Sequence, residues 1–156
     1  MSWITYAVWA FTAGALIPLM AILNGGLARA TGGAIQATVL LFAIGLLASL
    51  VVAATTRTPI PAIQTLTRIP VSQYAGGVIV GFYILSITFI APRFGVGNAI
   101  LFAVTAQLLT STLIDHFALA AATLRPLTPM RAMGLLIVIV GVVITQVSDR
   151  VDFSAR

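Results

Sequence analysis

Five long apolar stretches, separated by short segments rich in glycine, proline and polar residues, constrain the fold of this chain most strongly. They cover residues 3–23, 34–54, 73–91, 98–117 and 132–147, and each is 16 to 21 residues long. A helix needs roughly 20 apolar residues to cross the ~30 Å hydrocarbon core of a bilayer at about 1.5 Å per residue. The sequence therefore predicts an all-α integral membrane protein with five transmembrane helices, forming one domain over residues 1–156.

The composition excludes most other classes of protein. Hydrophobic residues make up 60% of the chain, charged residues make up 7%, and the mean hydropathy is +1.14. Soluble domains carry about 25% charged residues. Disordered chains have a lower content of hydrophobic residues than soluble domains, so this chain fits neither class. Residues 1–28 contain no Lys or Arg, whereas a signal peptide begins with a basic region. We therefore interpret the first stretch as a retained span.

The charged and metal-binding side chains are few and scattered. The chain has eight arginines, no lysine, three aspartates and no glutamate, for a net charge of +5. The arginines stand singly at the ends of apolar stretches, which is typical of contact with the lipid interface and not of a nucleic-acid-binding patch. With no cysteine and one histidine, we predict neither a metal site nor a cofactor. No nucleophile, base and orienting group lie where they could meet, so we predict that the chain is not an enzyme.

The arginines divide evenly between the two sides that five spans would create. One side receives Arg57, Arg68, Arg125 and Arg131, and the other receives Arg29, Arg93, Arg150 and Arg156. Because cationic residues near span ends normally stay in the cytoplasm, a balance of four to four predicts no preferred orientation. Both orientations would then coexist, and the chain would pair with an inverted copy of itself as an antiparallel homodimer. The alternative is that finer features, such as the distance of each arginine from its span, set one orientation.

Polar side chains within or next to the spans are the candidates for contact with a small-molecule substrate, because polar groups are costly in hydrocarbon and often functional there. The candidate cavity-lining residues are Trp9, Asn24, Tyr83, Ser86, Asn98, Thr105, Gln107 and Ser111. For the hydroxyls, bonding within a helix or between helices is the competing interpretation. Capping or turn formation competes for the two asparagines. Gln107 is the stronger candidate, since an amide near mid-span has four hydrogen-bonding sites to satisfy.

Asp115 and His116 close the fourth stretch. Adjacent helical residues do not face each other, and no second carboxylate lies near them in the sequence. We therefore interpret the pair as an interfacial cap, a partner for an arginine or a gate at a cavity mouth, and not as a catalytic pair. No carboxylate occurs in the middle of a span, which favours a neutral, weakly polar or anionic substrate over an organic cation. Small residues that permit close helix packing are Gly77, Gly81, Gly134 and Gly141.

Several segments resemble one known family. They are GALIP at 14–18, NGGLA at 24–28, APRFG at 91–95, the Gln-x-x-x-Ser-x-x-x-Asp-His pattern within 107–117, and the run at 134–141. The chain is similar along nearly its whole length to the YdcZ-type half-length bacterial inner-membrane proteins of the drug/metabolite transporter superfamily. The family often has a glutamine in the first span where this chain has Met20, which would make a cavity there less polar.

The resemblance implies a multi-pass inner-membrane protein that forms one half of a ten-helix drug/metabolite transporter fold and pairs with an inverted copy. It carries over Asn24, Gln107, Ser111, Asp115 and His116 as functional positions. We therefore predict a small-molecule transporter, an exporter, that works by alternating access. Two alternatives remain at this point: a non-transporting assembly or regulatory subunit of the membrane, and one half of a heterodimeric transporter.

Overall fold

The computed structural model of the chain describes residues 2–119 and 123–154, with side chains through residue 148, and all its regular structure is helical. Arg156 and the side chain of Arg150, which entered the charge balance, lie outside the described residues. The helices are α1 (Trp3–Thr31), α2 (Ala34–Thr55), α3 (Ile63–Leu66), α4 (Val71–Phe94), α5 (Val96–Phe117) and α6 (Pro129–Ser154). Apart from the four-residue α3, each is long and apolar enough to cross a membrane. The predicted all-helical chain with five candidate transmembrane helices is confirmed.

The first helix is longer than the apolar stretch from which it was predicted. Ser2 caps its start by accepting a hydrogen bond from the Thr5 backbone N–H, and the helix continues through Pro18. Gly25 and Gly26, which follow the first apolar stretch, lie inside α1, so only Gly32 and Gly33 connect it to α2. Gly32 ends the helix in the left-handed conformation, with φ of 93°, which glycine adopts without a steric penalty.

The segments between other apolar stretches also contain helix. Residues 92–95, which follow the third stretch, are mostly helical, because α4 continues through Phe94 and only Gly95 separates it from α5. Gly95 has φ of 91° and ψ of 137°, and its N–H donates to the Ala91 carbonyl. The long segment before α4 contains α3, and the Tyr74 hydroxyl donates to the Leu66 carbonyl at 2.8 Å. The segment between α2 and α4 therefore contains local structure of its own.

The described chain divides into two compact units. In the first unit (Met1–Val96), α1, α2 and α4 pack against one another in all three pairs. Its buried apolar residues are Ala21, Ala37, Ile84, Ile87 and Ala91. Three of these five are alanines, and small residues at helix contacts let the helix backbones approach closely in a membrane.

The second unit (Gly97–Arg156) contains α5 from its second residue onward and all of α6. Asp115, near the end of α5, accepts a hydrogen bond from Arg131 at the start of α6. Asn98, at the start of α5, accepts one from Gln146 near the end of α6. These two bonds pair opposite ends of the helices, so α5 and α6 run antiparallel. Thr128 and Pro129 begin α6 in the usual way, with the Thr128 hydroxyl accepting from the Arg131 N–H.

Candidate functional site

The core of the first unit contains one polar side chain from each of its three packed helices. Asn24 of α1, Thr38 of α2 and Thr88 of α4 are only 6%, 9% and 2% exposed. No hydrogen bond of these side chains occurs among the described residues, and the Thr38 hydroxyl is fully buried without a partner. Leaving a fully buried polar group unpaired costs about 1–3 kcal/mol, so the Thr38 hydroxyl destabilises this core.

Most other hydroxyls in the chain are satisfied locally. Thr31, for example, donates to the Leu27 carbonyl at 2.8 Å, and Thr112 donates to the Leu108 carbonyl at the same distance. This is the ordinary way for threonine to be accommodated in a membrane helix. Thr38 and Thr88 also lie inside helices, yet their hydroxyls make no such bond among the described residues. Thr88 lines a cavity, so a ligand there could accept the hydrogen bond of its hydroxyl.

Asn24 lines a cavity of about 490 Å³ between α1 and α2. Its lining is Leu16, Leu19, Met20, Leu23, Asn24, Leu27, Leu41 and Ile44. Asn24 is the one polar side chain among these lining residues, and an apolar cleft with a few polar groups is the usual form of a small-molecule site. Met20 contributes an apolar side chain to this lining, so Asn24 supplies its single amide.

A second cavity, of about 530 Å³, opens where α1 turns into α2 beside the end of α4; we call it the turn cavity. It is lined by Gly25, Ala28, Arg29, Gly32, Gly33, Ala34, Thr88, Phe89, Pro92 and Arg93. The helices approach closely here, since a Cβ placed on Gly25 would lie 3.7 Å from Pro92 Cγ. The turn cavity therefore combines two arginines with the buried Thr88 and the N-terminus of α2.

Arg93 is held by two contacts from α4 itself. Its Nη1 donates to the Phe89 carbonyl at 2.6 Å, and its guanidinium carbon lies 3.9 Å from the centre of the Phe89 ring. Arg29 extends back along α1. Its Nη1 lies 3.9 Å from the position that a Cβ would take on Gly25, and its Nη2 lies 3.9 Å from the corresponding position on Gly26. Residues 1–96 include no aspartate or glutamate, so neither arginine has a carboxylate partner within the first unit.

The turn cavity shares Gly32, Gly33, Ala34 and Phe89 with a third cavity, of about 590 Å³, whose lining also includes Gln36 and Ser86. Ser86 was a predicted cavity-lining residue. Of the other candidates in this unit, Asn24 lines a cavity as described, Tyr83 is half-buried in α4, and Trp9 is exposed on α1.

The candidates from the fourth predicted span all lie in the second unit. The hydroxyls of Thr105 and Ser111 donate to the carbonyls of Leu101 and Leu108, as in the competing packing interpretation. Gln107 is exposed, and its amide makes no hydrogen bond to any residue that the structure describes. Asn98 is paired with Gln146 at 2.8 Å, a bond that could not be predicted from sequence because it depends on the register of α5 against α6.

Asp115 and His116 hold the connection between α5 and α6. The Asp115 carboxylate accepts from Arg131 Nη2 at 2.8 Å, and its backbone carbonyl accepts from the Arg125 N–H at 2.9 Å. The imidazole of His116 accepts from the Leu127 N–H at Nδ1, 3.0 Å away. Among the roles that the sequence left open, the structure gives Asp115 an arginine partner.

The predicted packing glycines have open surroundings. A Cβ placed on Gly77, Gly81, Gly134 or Gly141 would meet no described atom within 4 Å. Those four faces are therefore not used for close packing within the described part of a single chain. Nor do the described residues bring together three or more His, Cys, Asp or Glu side chains that could hold a metal ion.

Sequence reasoning treated Arg29 and Arg93 as interface anchors and assigned no role to Thr38. The available signal was that both arginines fall in connections assigned to the same side of the membrane.

A family model described as "Putative inner membrane exporter, YdcZ" matches residues 5–144. No curated protein and no solved structure matches the chain. Because the family match covers most of the 156 residues, the chain belongs to the YdcZ family of inner-membrane proteins.

Proposed function

We propose that this member of the YdcZ family exports a small neutral, weakly polar or anionic solute across the bacterial inner membrane. The family match supports export as the activity, and the five candidate transmembrane helices supply the membrane domain. The observation that carries the proposal is that Asn24 and Thr88 line cavities as buried side chains and make no hydrogen bond among the described residues. A solute that accepts or donates hydrogen bonds would offset the cost of burying these groups.

Alternating access requires a site that opens to one side of the membrane and then to the other. Many transporters build such a site between two inverted repeats. A five-helix chain that inserts in both orientations supplies both repeats by pairing with an inverted copy. The even division of the arginines supports this arrangement. The open faces at Gly77, Gly81, Gly134 and Gly141 are the surfaces where we propose that the second copy packs.

Within the pair, Asn24 and Ser86 contact the solute from the cavities that they line. We also assign a solute contact to Gln107, because its amide is without a partner in the described chain. Trp9 and Tyr83 in the first unit are secondary solute contacts in this proposal, as are Asn98, Thr105 and Ser111 in the second. Asp115 and His116 act as a gate or interfacial pair.

The activity is tested by flux from proteoliposomes loaded with a panel of neutral and anionic solutes. We expect the wild-type chain to release at least one solute and Asn24→Leu to reduce that rate at least tenfold. Gln107→Leu is expected to act in the same direction. Gln64→Leu is the matched control, because Gln64 lies in the short α3, away from the cavity linings. Wild-type inactivity across the whole panel would contradict the proposal.

The inverted pair is tested by labelling single cysteines in a chain that has none of its own. Ala30→Cys and Gln64→Cys place exposed probes before and after α2, hence on opposite sides of the membrane. If both orientations coexist, a membrane-impermeant thiol reagent labels about half of each variant in intact cells. Labelling of one variant completely and of the other not at all would establish one orientation and refute the inverted homodimer.

A further inference from the structure

We propose that the turn cavity binds the oxyanion group, carboxylate or phosphate, of the exported solute. This inference rests on the proposed function and narrows its substrate class to anions. Three features of the cavity support it: two arginines without acidic partners, the uncapped N-terminus of α2, and a buried threonine hydroxyl without a partner.

The arginines provide an uncompensated positive charge. Arg29 and Arg93 both line the turn cavity, and the first 96 residues contain no acid that could neutralise them. A guanidinium has five N–H donors, and the described contacts of Arg93 use one of them for the Phe89 carbonyl. The remaining donors match the geometry of a carboxylate or phosphate, which arginine binds in a bidentate manner.

The N-terminus of α2 adds backbone donors to the same cavity. Gly33 and Ala34 line it, and no side chain caps the first turn of this 22-residue helix. The first N–H groups of a helix lack partners within the helix and carry a partial positive charge, which favours an anion. Gly32 has open space around it, whereas Gln36 Oε1 lies 2.8 Å from the position that a Cβ would take on Gly33. An oxyanion would therefore approach this backbone from the side of Gly32, and the Gln36 side chain would turn away from Gly33.

Thr88 is the independent indication of a ligand. It lines the turn cavity and is 2% exposed, but its hydroxyl makes no hydrogen bond within the described chain. A hydroxyl so deeply buried normally finds a partner. An oxyanion in the cavity would accept that hydrogen bond and so satisfy the group.

The volume of the turn cavity agrees with a small organic anion. Ligand pockets in proteins usually have volumes of about 300–1,000 Å³, and the open turn cavity has a volume of about 530 Å³. Phe89 and Pro92, which also line it, supply apolar surface for the body of the solute. A bare inorganic ion would leave much of this space empty.

A purely structural role for the arginines is the competing explanation. Arg29 and Arg93 lie in the last turns of α1 and α4, where a cation offsets the negative end of the helix dipole. That role predicts that removing either charge lowers thermal stability without affecting anion binding. It also leaves the unpaired hydroxyl of Thr88 unexplained.

The test is a titration of the purified full-length chain in dodecyl maltoside with inorganic phosphate, by isothermal calorimetry at constant ionic strength. We expect saturable binding that is at least tenfold weaker in Arg29→Gln and Arg93→Gln, and three- to tenfold weaker in Thr88→Val. Arg68→Gln, with the same charge change outside the cavity, should bind within twofold of wild type. Arg29→Lys and Arg93→Lys keep the charge and remain informative if a glutamine variant fails to fold.

Equal weakening by Arg68→Gln and the cavity variants would overturn the proposal, as would saturable binding that none of the cavity variants changes. No binding to the wild-type chain would overturn it too. A second titration includes excess phosphatidylglycerol: retained phosphate binding supports a solute site, whereas its loss assigns the cavity to a lipid headgroup and overturns the solute assignment. Anion binding without flux would refute transport and leave the site standing; flux of a neutral solute without anion binding would refute only the site.

Discussion

Gln146 Nε2 donates a hydrogen bond to Asn98 Oδ1 at 2.8 Å, across 48 residues of sequence. The bond joins the end of α6 to the start of α5, whereas the Arg131–Asp115 pair joins the other ends of these helices. Side-chain amides can join helices that cross hydrocarbon, where no hydrophobic force drives helix association. The second unit is thus held at both ends by polar contacts.

The interhelical amide bond should be measurable as a coupling energy. We expect a double-mutant cycle of Asn98→Ala and Gln146→Ala to give a coupling of about 0.6 kcal/mol, with an upper bound of about 1.7 kcal/mol, as for comparable bonds in membrane proteins. The measurement is the free energy of unfolding in mixed micelles. Thr145→Ala is the control for truncation near Gln146, because the Thr145 hydroxyl bonds to the Val142 carbonyl of its own helix. Strict additivity of the two alanine variants would show that the bond contributes nothing.

The Asp115–Arg131 ion pair places each charge at the less favourable end of its helix. Asp115 lies in the last turn of α5 and Arg131 in the first turn of α6, where the helix dipoles favour the opposite signs. Both side chains are about one-third exposed, so solvent screening limits the pair to about 0.5 kcal/mol. We expect Asp115→Arg alone to destabilise the chain, and the swap with Arg131→Asp to be at least as stable as wild type in thermal unfolding.

Salt tests whether the destabilisation by Asp115→Arg is electrostatic. In about 1 M salt the Debye length is about 3 Å, so the repulsion between two arginines at this contact is screened and the loss of thermal stability should be smaller. A swapped variant that is as unstable as Asp115→Arg alone would mean that the ion pair does not set the contact between these helices.

His116 should hold the connection before α6 through an acceptor atom and not through its charge. Its Nδ1 accepts from the Leu127 N–H, which requires the ring proton on Nε2. We expect amide hydrogen exchange at Leu127 to accelerate roughly fivefold in His116→Phe, for the loss of a bond of about 1 kcal/mol. His116→Asn restores an acceptor at a similar position and should exchange within twofold of wild type. Equal acceleration in both variants would place the effect in ring packing.

The spans could be predicted because length and hydropathy are local properties of the sequence. The ends of the spans were harder to predict, as Gly25, Gly26 and Pro92 show. Each normally marks a turn, but the structure places all three inside helices. In hydrocarbon every backbone group must be satisfied internally, so a helix continues through residues that would end it in water.

Only part of the candidate site could be predicted from the sequence. Asn24 stands out as an amide at the end of an apolar stretch, and its role as a solute contact stays a prediction. The turn cavity depends on residues far apart in sequence, since Arg29 and Arg93 meet there only because α1 and α4 pack together. No local sequence pattern predicts that Arg29 and Arg93 line the same cavity. The same holds for Gln146 and Asn98, whose pairing depends on the register of α5 against α6.

Two glycines at helix ends should differ sharply in what they tolerate. Gly32 has φ of 93° and ψ of 2°, close to the left-handed region that asparagine also visits. Gly95 combines φ of 91° with ψ of 137°, in a region essentially restricted to glycine.

We therefore expect Gly32→Asn to lower the free energy of unfolding by less than about 1 kcal/mol, and Gly95→Asn to lower it by about 1–3 kcal/mol. Thermal unfolding in detergent compares the two, with Gly45→Asn, at a helical position with open space around it, as the control for adding a polar side chain. Equal losses at Gly32 and Gly95 would show that α5 can shift at its start to relieve the strain, so that the one-residue connection to α4 does not fix the backbone there.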